Sequence, residues 1–170
     1  MLTLRNTFLT LRLKMNKMKI SDLNPSSKLW LYQSSRALNA TEIQWLNEQL
    51  KSFAEDWASH GADLMAAAEV LNPYFIAFAV DLSQANASGC SIDKSVRLVK
   101  DLGKELNIDF FNRLKIWSEN ESEEVNLIPF RNISEFPENY IFNPLVNKLE
   151  DLPSKFKVKI ADYLVENQLV

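Results

Sequence analysis

Tyr74-Phe75-Ile76-Ala77-Phe78-Ala79-Val80 is apolar at every position. A strand with one covered face alternates apolar and polar side chains, so this run predicts a strand covered on both faces. Asn72-Pro73 ahead of it marks a turn. Across that turn, Leu64 to Val70 reads as the first arm of a hairpin, although its alanines also allow helix.

Upstream, Leu29-Trp30-Leu31-Tyr32 suits a strand. Asn39 or Thr41 can cap a helix with Glu42 in its first turn. Its stripe Ile43, Leu46, Leu50, Phe53, Ala54, Trp57 has gaps of three and four, and Gly61 after Ser59-His60 is a natural stop. Downstream, the loop Asp81 to Cys90 leads into a helix from about Ser91 to Leu106, with the stripe Ile92, Val96, Val99, Leu102, Leu106. Phe110 to Trp117 then reads as a strand, with Arg113 and Lys115 exposed as on an edge.

The order strand, helix, strand, strand, helix, strand is that of the ferredoxin-like βαββαβ unit. The predicted class is therefore α+β, an antiparallel sheet with two helices on one face. Such a unit leaves its other sheet face open, and the apolar run 74–80 demands a cover. The C-terminal third can supply it, with a strand at Val125 to Phe130, an irregular stretch over 136–147, and a last helix opened by Pro153 and bearing Phe156, Ile160 and Leu164. A second copy of the chain, in a homodimer, is the alternative cover.

At 170 residues, 46% hydrophobic and 24% charged, the chain has the size of one domain with a core of its own. The expected organisation is a single α+β domain over 28–170, preceded by an extension over 1–27. Residues 1–20 hold Arg5, Arg12, Lys14, Lys17 and Lys19 and no acid. Those charges interrupt any signal-peptide core, so the extension reads as disordered or as an over-long reading frame starting properly at Met15 or Met18. The net charge of −3 argues against a general nucleic-acid surface. One cysteine rules out an internal disulfide, and no apolar run reaches the roughly 18 residues of a membrane span. A cytoplasmic location is expected.

The densest polar segment runs from Asp81 to Ser95. Free amides and the dipole at a helix start favour an anion or a thiolate, which makes Asp81, Ser88, Gly89, Ser91, Asp93 and Ser95 candidate ligand contacts. Cys90 falls at or just before the cap, with Ser91, Asp93 and Ser95 expected in the first turn. In the βαββαβ order the end of the first helix and the end of the third strand share a rim. His60 and Cys90, the only histidine and the only cysteine, would be neighbours there, as nucleophile and base of a thiol enzyme. The plain alternatives are a Ser91 cap, a small buried Cys90 and a His60 favoured by the helix dipole. Asp109 and Arg113 suit a surface pair, and Trp45, off its helix stripe, suits a partner surface or ordinary exposure.

Exclusions are firmer. With only Gly61, Gly89 and Gly103, the chain has no GxxxxGK[ST] loop, no GxGxxG fingerprint and no GxSxG elbow. One histidine and one cysteine do not make a standard zinc site, so no metal and no cofactor are expected. A binding or interaction module for a small ligand or protein partner is the leading expectation, and a Cys90–His60 enzyme the alternative.

Trp30-Leu31-Tyr32-Gln33-Ser34-Ser35-Arg36, His60-Gly61, Phe75 to Asp81, Ala87 to Val96 with its Ser88-Gly89-Cys90-Ser91-Ile92-Asp93 core, Ile108 to Arg113, and Phe142-Asn143-Pro144-Leu145-Val146 resemble an uncharacterised family of small bacterial proteins. The resemblance spans about 29–147. Members often carry the label "ABC transporter ATPase", which this sequence does not support, because it lacks the phosphate loop such an enzyme requires.

Overall fold

The computed structural model describes residues 18–59, 65–83 and 89–169. Among them, seven strands form two antiparallel sheets. The first sheet has the order β1-β3-β2, from β1 (Lys28–Gln33), β2 (Met65–Asn72) and β3 (Phe75–Asp81). The predicted hairpin is β2–β3, turned at Pro73-Tyr74, where Asn72 Oδ1 accepts the Tyr74 N–H at 2.9 Å.

Two helices cover one face: α1 (Ala40–Ser59) and α2 (Gly89–Leu106). Asn39 caps α1 in a reciprocal box, with its Oδ1 accepting the Glu42 N–H and its own N–H donating to Glu42 Oε2, both at 2.9 Å. Leu46, Leu50, Ala54 and Trp57 of α1 and Val99 and Leu102 of α2 pack on Ile76, Phe78 and Val80. The alternate residues Phe75, Ala77 and Ala79 face the other way, against Trp117, Phe142, Val146 and Phe156 of the C-terminal third. Phe75 to Val80 is therefore buried throughout, as the apolar run requires. Residues 18–27, grouped with the leading extension on sequence, carry Ile20 and Leu23 into this second core.

The second sheet has the order β5-β4-β6-β7, from β4 (Lys115–Glu119), β5 (Val125–Pro129), β6 (Tyr140–Phe142) and β7 (Lys157–Lys159). Its far face packs Ile116, Ile141 and Val158 under α4 (Ile160–Glu166) through Ile160, Tyr163 and Leu164. The helix expected after Pro153 is thus divided. A single turn, α3 (Leu152–Lys155), is followed by β7 before α4 begins. Phe156 belongs to the core between the sheets and Val158 to the outer core, an alternation that a strand allows.

The four-stranded βαββαβ sheet expected from the sequence does not form, because the fourth strand belongs to the second sheet. The reason is local. α2 ends in a Schellman turn: Asn107 takes φ 52°, Ile108 N–H donates to Gly103 O at 2.8 Å, and Asn107 N–H to Lys104 O at 3.3 Å. Two side chains then hold irregular backbone, as Asp109 Oδ1 accepts the Phe111 N–H at 2.8 Å and Asn112 Oδ1 the Leu114 N–H at 2.9 Å. Such Asx turns compete with a strand ladder. Phe110 to Leu114 therefore stays out of any sheet, and β4 starts only at Lys115.

Candidate functional site

Part of the expected site lies outside the described residues: His60 and Ser88 entirely, and the side chains of Cys90 and Ser91, which with Gly89 supply backbone to the first turn of α2. The helix begins at Gly89, so Ser91 is inside it and is not its cap. Ser95 is in the second turn, not the first, and is buried, with its hydroxyl donating to Ile92 O at 2.7 Å. Asp81 closes a turn by accepting the Ser83 N–H at 2.9 Å, and Asp93 is exposed. Asp109 accepts the Phe111 N–H, and no ion pair joins it to Arg113 among the described residues. Trp45 is half-buried beside the α1 core. No helix of the described residues is long and apolar enough to cross a membrane, and no group of three or more His, Cys, Asp or Glu among them could hold a metal ion.

An apolar-lined cleft lies elsewhere, at the outer edge of β1. Leu29 N–H donates to Asn147 O at 2.9 Å, away from β3. In an antiparallel pair this orientation recurs every second residue, so the N–H and C=O groups of Leu31 and Gln33 also point to the outer edge. A short ladder shields the start of this edge: Leu149 N–H to Ser27 O at 3.0 Å, Glu150 N–H to Pro25 O at 2.8 Å, and the bridge Lys28–Lys148. Beyond Leu29 the two segments part. Pro144, which has no N–H, and Leu145, held by Asn143 Oδ1 at 3.0 Å, turn away.

The gap is a cleft of about 210 Å³ between Leu31–Gln33, Phe110–Arg113, Lys115, Phe130, Pro144–Leu145 and Tyr163. Gln33 braces one wall. Its Nε2 donates to Asn112 O and Lys115 O, both at 2.6 Å, fixing the amide's orientation. Its Oε1 is buried with no partner among the described residues. Apolar side chains stand out in the lining: Leu145 is 55% exposed and Phe111 37%. Among the described residues, Arg113 and Lys115 are the only charged residues in the lining. Lys100 Nζ adds a third cation, 5.9 Å above the Phe111 ring. Burial raises the Tyr32 phenol above its usual range, offset in part by the Ser95 hydroxyl and the charge of Arg113. Burial likewise raises Tyr163.

Such a place suits a ligand with an apolar body and a negative charge. Sequence reasoning recognised Arg113 and Lys115 as exposed but assigned them to a strand edge. One signal for Gln33 was available, because it shares the inward parity of Leu29 and Leu31, where an apolar residue is the rule. No family model, no curated protein and no solved structure matches the chain.

Proposed function

We propose that this chain is a binding module whose site is the cleft beside β1, and that its ligand combines an apolar group with a carboxylate or comparable anion. The carrying observation is the conjunction of an exposed apolar rim with a lining that, among the described residues, contains Arg113 and Lys115 and no carboxylate. Exposed apolar side chains gathered at a concavity mark interaction sites more often than singly scattered ones do. A cytoplasmic protein is the setting this reading assumes.

The finer fold reading supports the location. We infer that β1, α1, β2, β3 and α2 correspond to a ferredoxin-like split unit whose fourth strand has been diverted; the order β1-β3-β2 supports this. In such a unit the fourth strand would lie beside β1, on the cleft side. The anion reading at the Ser88–Ser95 turn and the Cys90–His60 enzyme gain no support from the described residues, since Ser95 is engaged within its own helix.

The test uses 8-anilinonaphthalene-1-sulfonate, an aromatic anion that fluoresces when sheltered from water. One saturable site is expected, weakened at least fivefold by Arg113→Ala with Lys115→Ala and by Leu145→Asp. Saturable binding indifferent to both variants would put the site elsewhere, and absence of binding would remove the proposal.

A further inference from the structure

The open edge of β1 narrows the ligand class at this same site, an inference that rests on the binding reading above. A small aromatic anion would use the apolar walls and the cations but would leave the strand edge unmet. Leu31 presents an N–H and a C=O to the cleft side, flanked by the edge groups of Gln33. Leu31 and Gln33 are themselves buried, 8% and 6% exposed, so their edge groups are reached through the cleft, and a strand edge of this kind is a template for another strand. The exposed side chains of Phe111 and Leu145 carry the apolar lining out to solvent, beyond what a small ligand would cover.

Three occupants would meet these groups. A second copy paired across a two-fold axis through this edge would set Arg113 and Lys115 near their own copies, which opposes association. A nucleic acid needs a broad basic surface, and the chain is acidic overall, with net charge −3. An extended peptide satisfies the edge with its main chain, the rim with alternate apolar side chains, and the cations with an acidic residue or a free C-terminus.

We propose that the cleft receives an extended, acidic-apolar segment of a partner protein, which adds a short strand to the first sheet beside Leu31 and Gln33. Main-chain pairing would supply much of the affinity, and the pocket between Phe111 and Leu145 would select one apolar side chain of the segment.

The probe is a displayed library of random nonapeptides selected on the full chain, followed by synthesis of the enriched peptides. Enriched sequences should alternate apolar residues and carry Asp, Glu or a terminal carboxylate at one end. Arg113→Glu with Lys115→Glu should cut their affinity at least tenfold. N-methylation of the one amide that pairs with Leu31 O should cut it at least tenfold, while methylation of its sequence neighbour, pointing away, should leave it within threefold. In hydrogen exchange the Leu31 amide should become protected at least tenfold when the peptide binds. Peptides that tolerate methylation at every position, or a failed selection by a chain that still binds the naphthalene sulfonate at this cleft, would overturn strand addition alone. Failure of both probes would overturn the site itself.

Discussion

Replacing Gln33 separates a structural brace from an incidental contact. In Gln33→Leu the side chain keeps its approximate volume but loses both donors, at 2.6 Å to Asn112 O and Lys115 O. Two hydrogen bonds contribute about 2 kcal/mol together, near 1 kcal/mol each. The carbonyls border an open cleft where water can reach them, and removing the unpartnered Oε1 returns about 1 kcal/mol. The net cost is about 1 kcal/mol, or a fall in Tm of about 2–4 °C for a chain of this size. Gln33→Glu has nearly the same shape and the opposite chemistry. An ionised carboxylate there faces two carbonyl oxygens, and the expected cost is about 3 kcal/mol or more at pH 7. Those carbonyls favour the protonated acid, so the introduced group has a folded pKa above its unfolded value. The carboxylate's penalty is therefore greatest above the folded pKa and shrinks as pH falls toward about 5. Urea unfolding of the full chain at pH 7 and pH 5 gives both numbers. If Gln33→Glu were no worse than Gln33→Leu, or its deficit did not change with pH, the amide would not be bracing the start of β4.

Other perturbations test the remaining joints. Gly103→Ala should destabilise by about 1–2 kcal/mol despite alanine's better helix propensity, because an added Cβ would sit 2.6 Å from Ile108 O in the Schellman turn; a more stable variant in thermal unfolding would refute this. Trp117→Phe removes the indole bond to Ser34 O at 2.9 Å and should cost about 1–3 kcal/mol in urea, whereas a cost under about 0.5 kcal/mol would show that bond to be dispensable. Phe75→Ala, at the contact of β3 with Phe142 and Phe156, should cost about 3–5 kcal/mol and expose Trp117 to iodide quenching; unchanged quenching would argue against tight packing of the two sheets. Glu42 is held below the usual carboxylate range, first by its hydrogen bond from Arg36 and then by the Asn39 backbone. Its contribution is present above that range and lost as pH falls, so wild type and Glu42→Gln should differ at pH 7 and converge between about pH 5 and pH 3.

The elements legible in the sequence are those whose signal is local. The stripe Leu46, Leu50, Ala54, Trp57 sets one helix face within a single segment, and the run 75–80 implies cover on both sides without naming the cover. What escaped depends on competition between a strand pattern and side chains that close turns. Phe110 to Trp117 has the composition of a strand, but Asp109 and Asn112 each capture an amide two residues ahead, which removes that stretch from the ladder. The division of the last helix has the same character, since Phe156 and Val158 serve different cores. The cleft was less accessible still. Its walls come from five stretches far apart in the chain, and only Gln33, polar at an inward position, hinted that the core stops there.

The outer edge of β1 leaves the protein with backbone groups to manage, and their handling is uneven. At the start of β1 the chain spends Asn147 to Glu150 on a ladder that covers Lys28 and Leu29. At the far end, the Gln33 amide ties the departing chain to the strand. Past the first closure Leu31 and Gln33 face a cleft rimmed by Leu145 and Phe111. A fold under selection for stability and solubility alone would gain by capping that interval with a charged or short edge, the usual defence against unwanted pairing. Among the described residues the only charges in the lining are cationic, and they repel a like copy while admitting an acidic strand. An edge shielded at its start, opening into a cleft at Leu31 and Gln33 and charged against self-association has the form of a selective docking place.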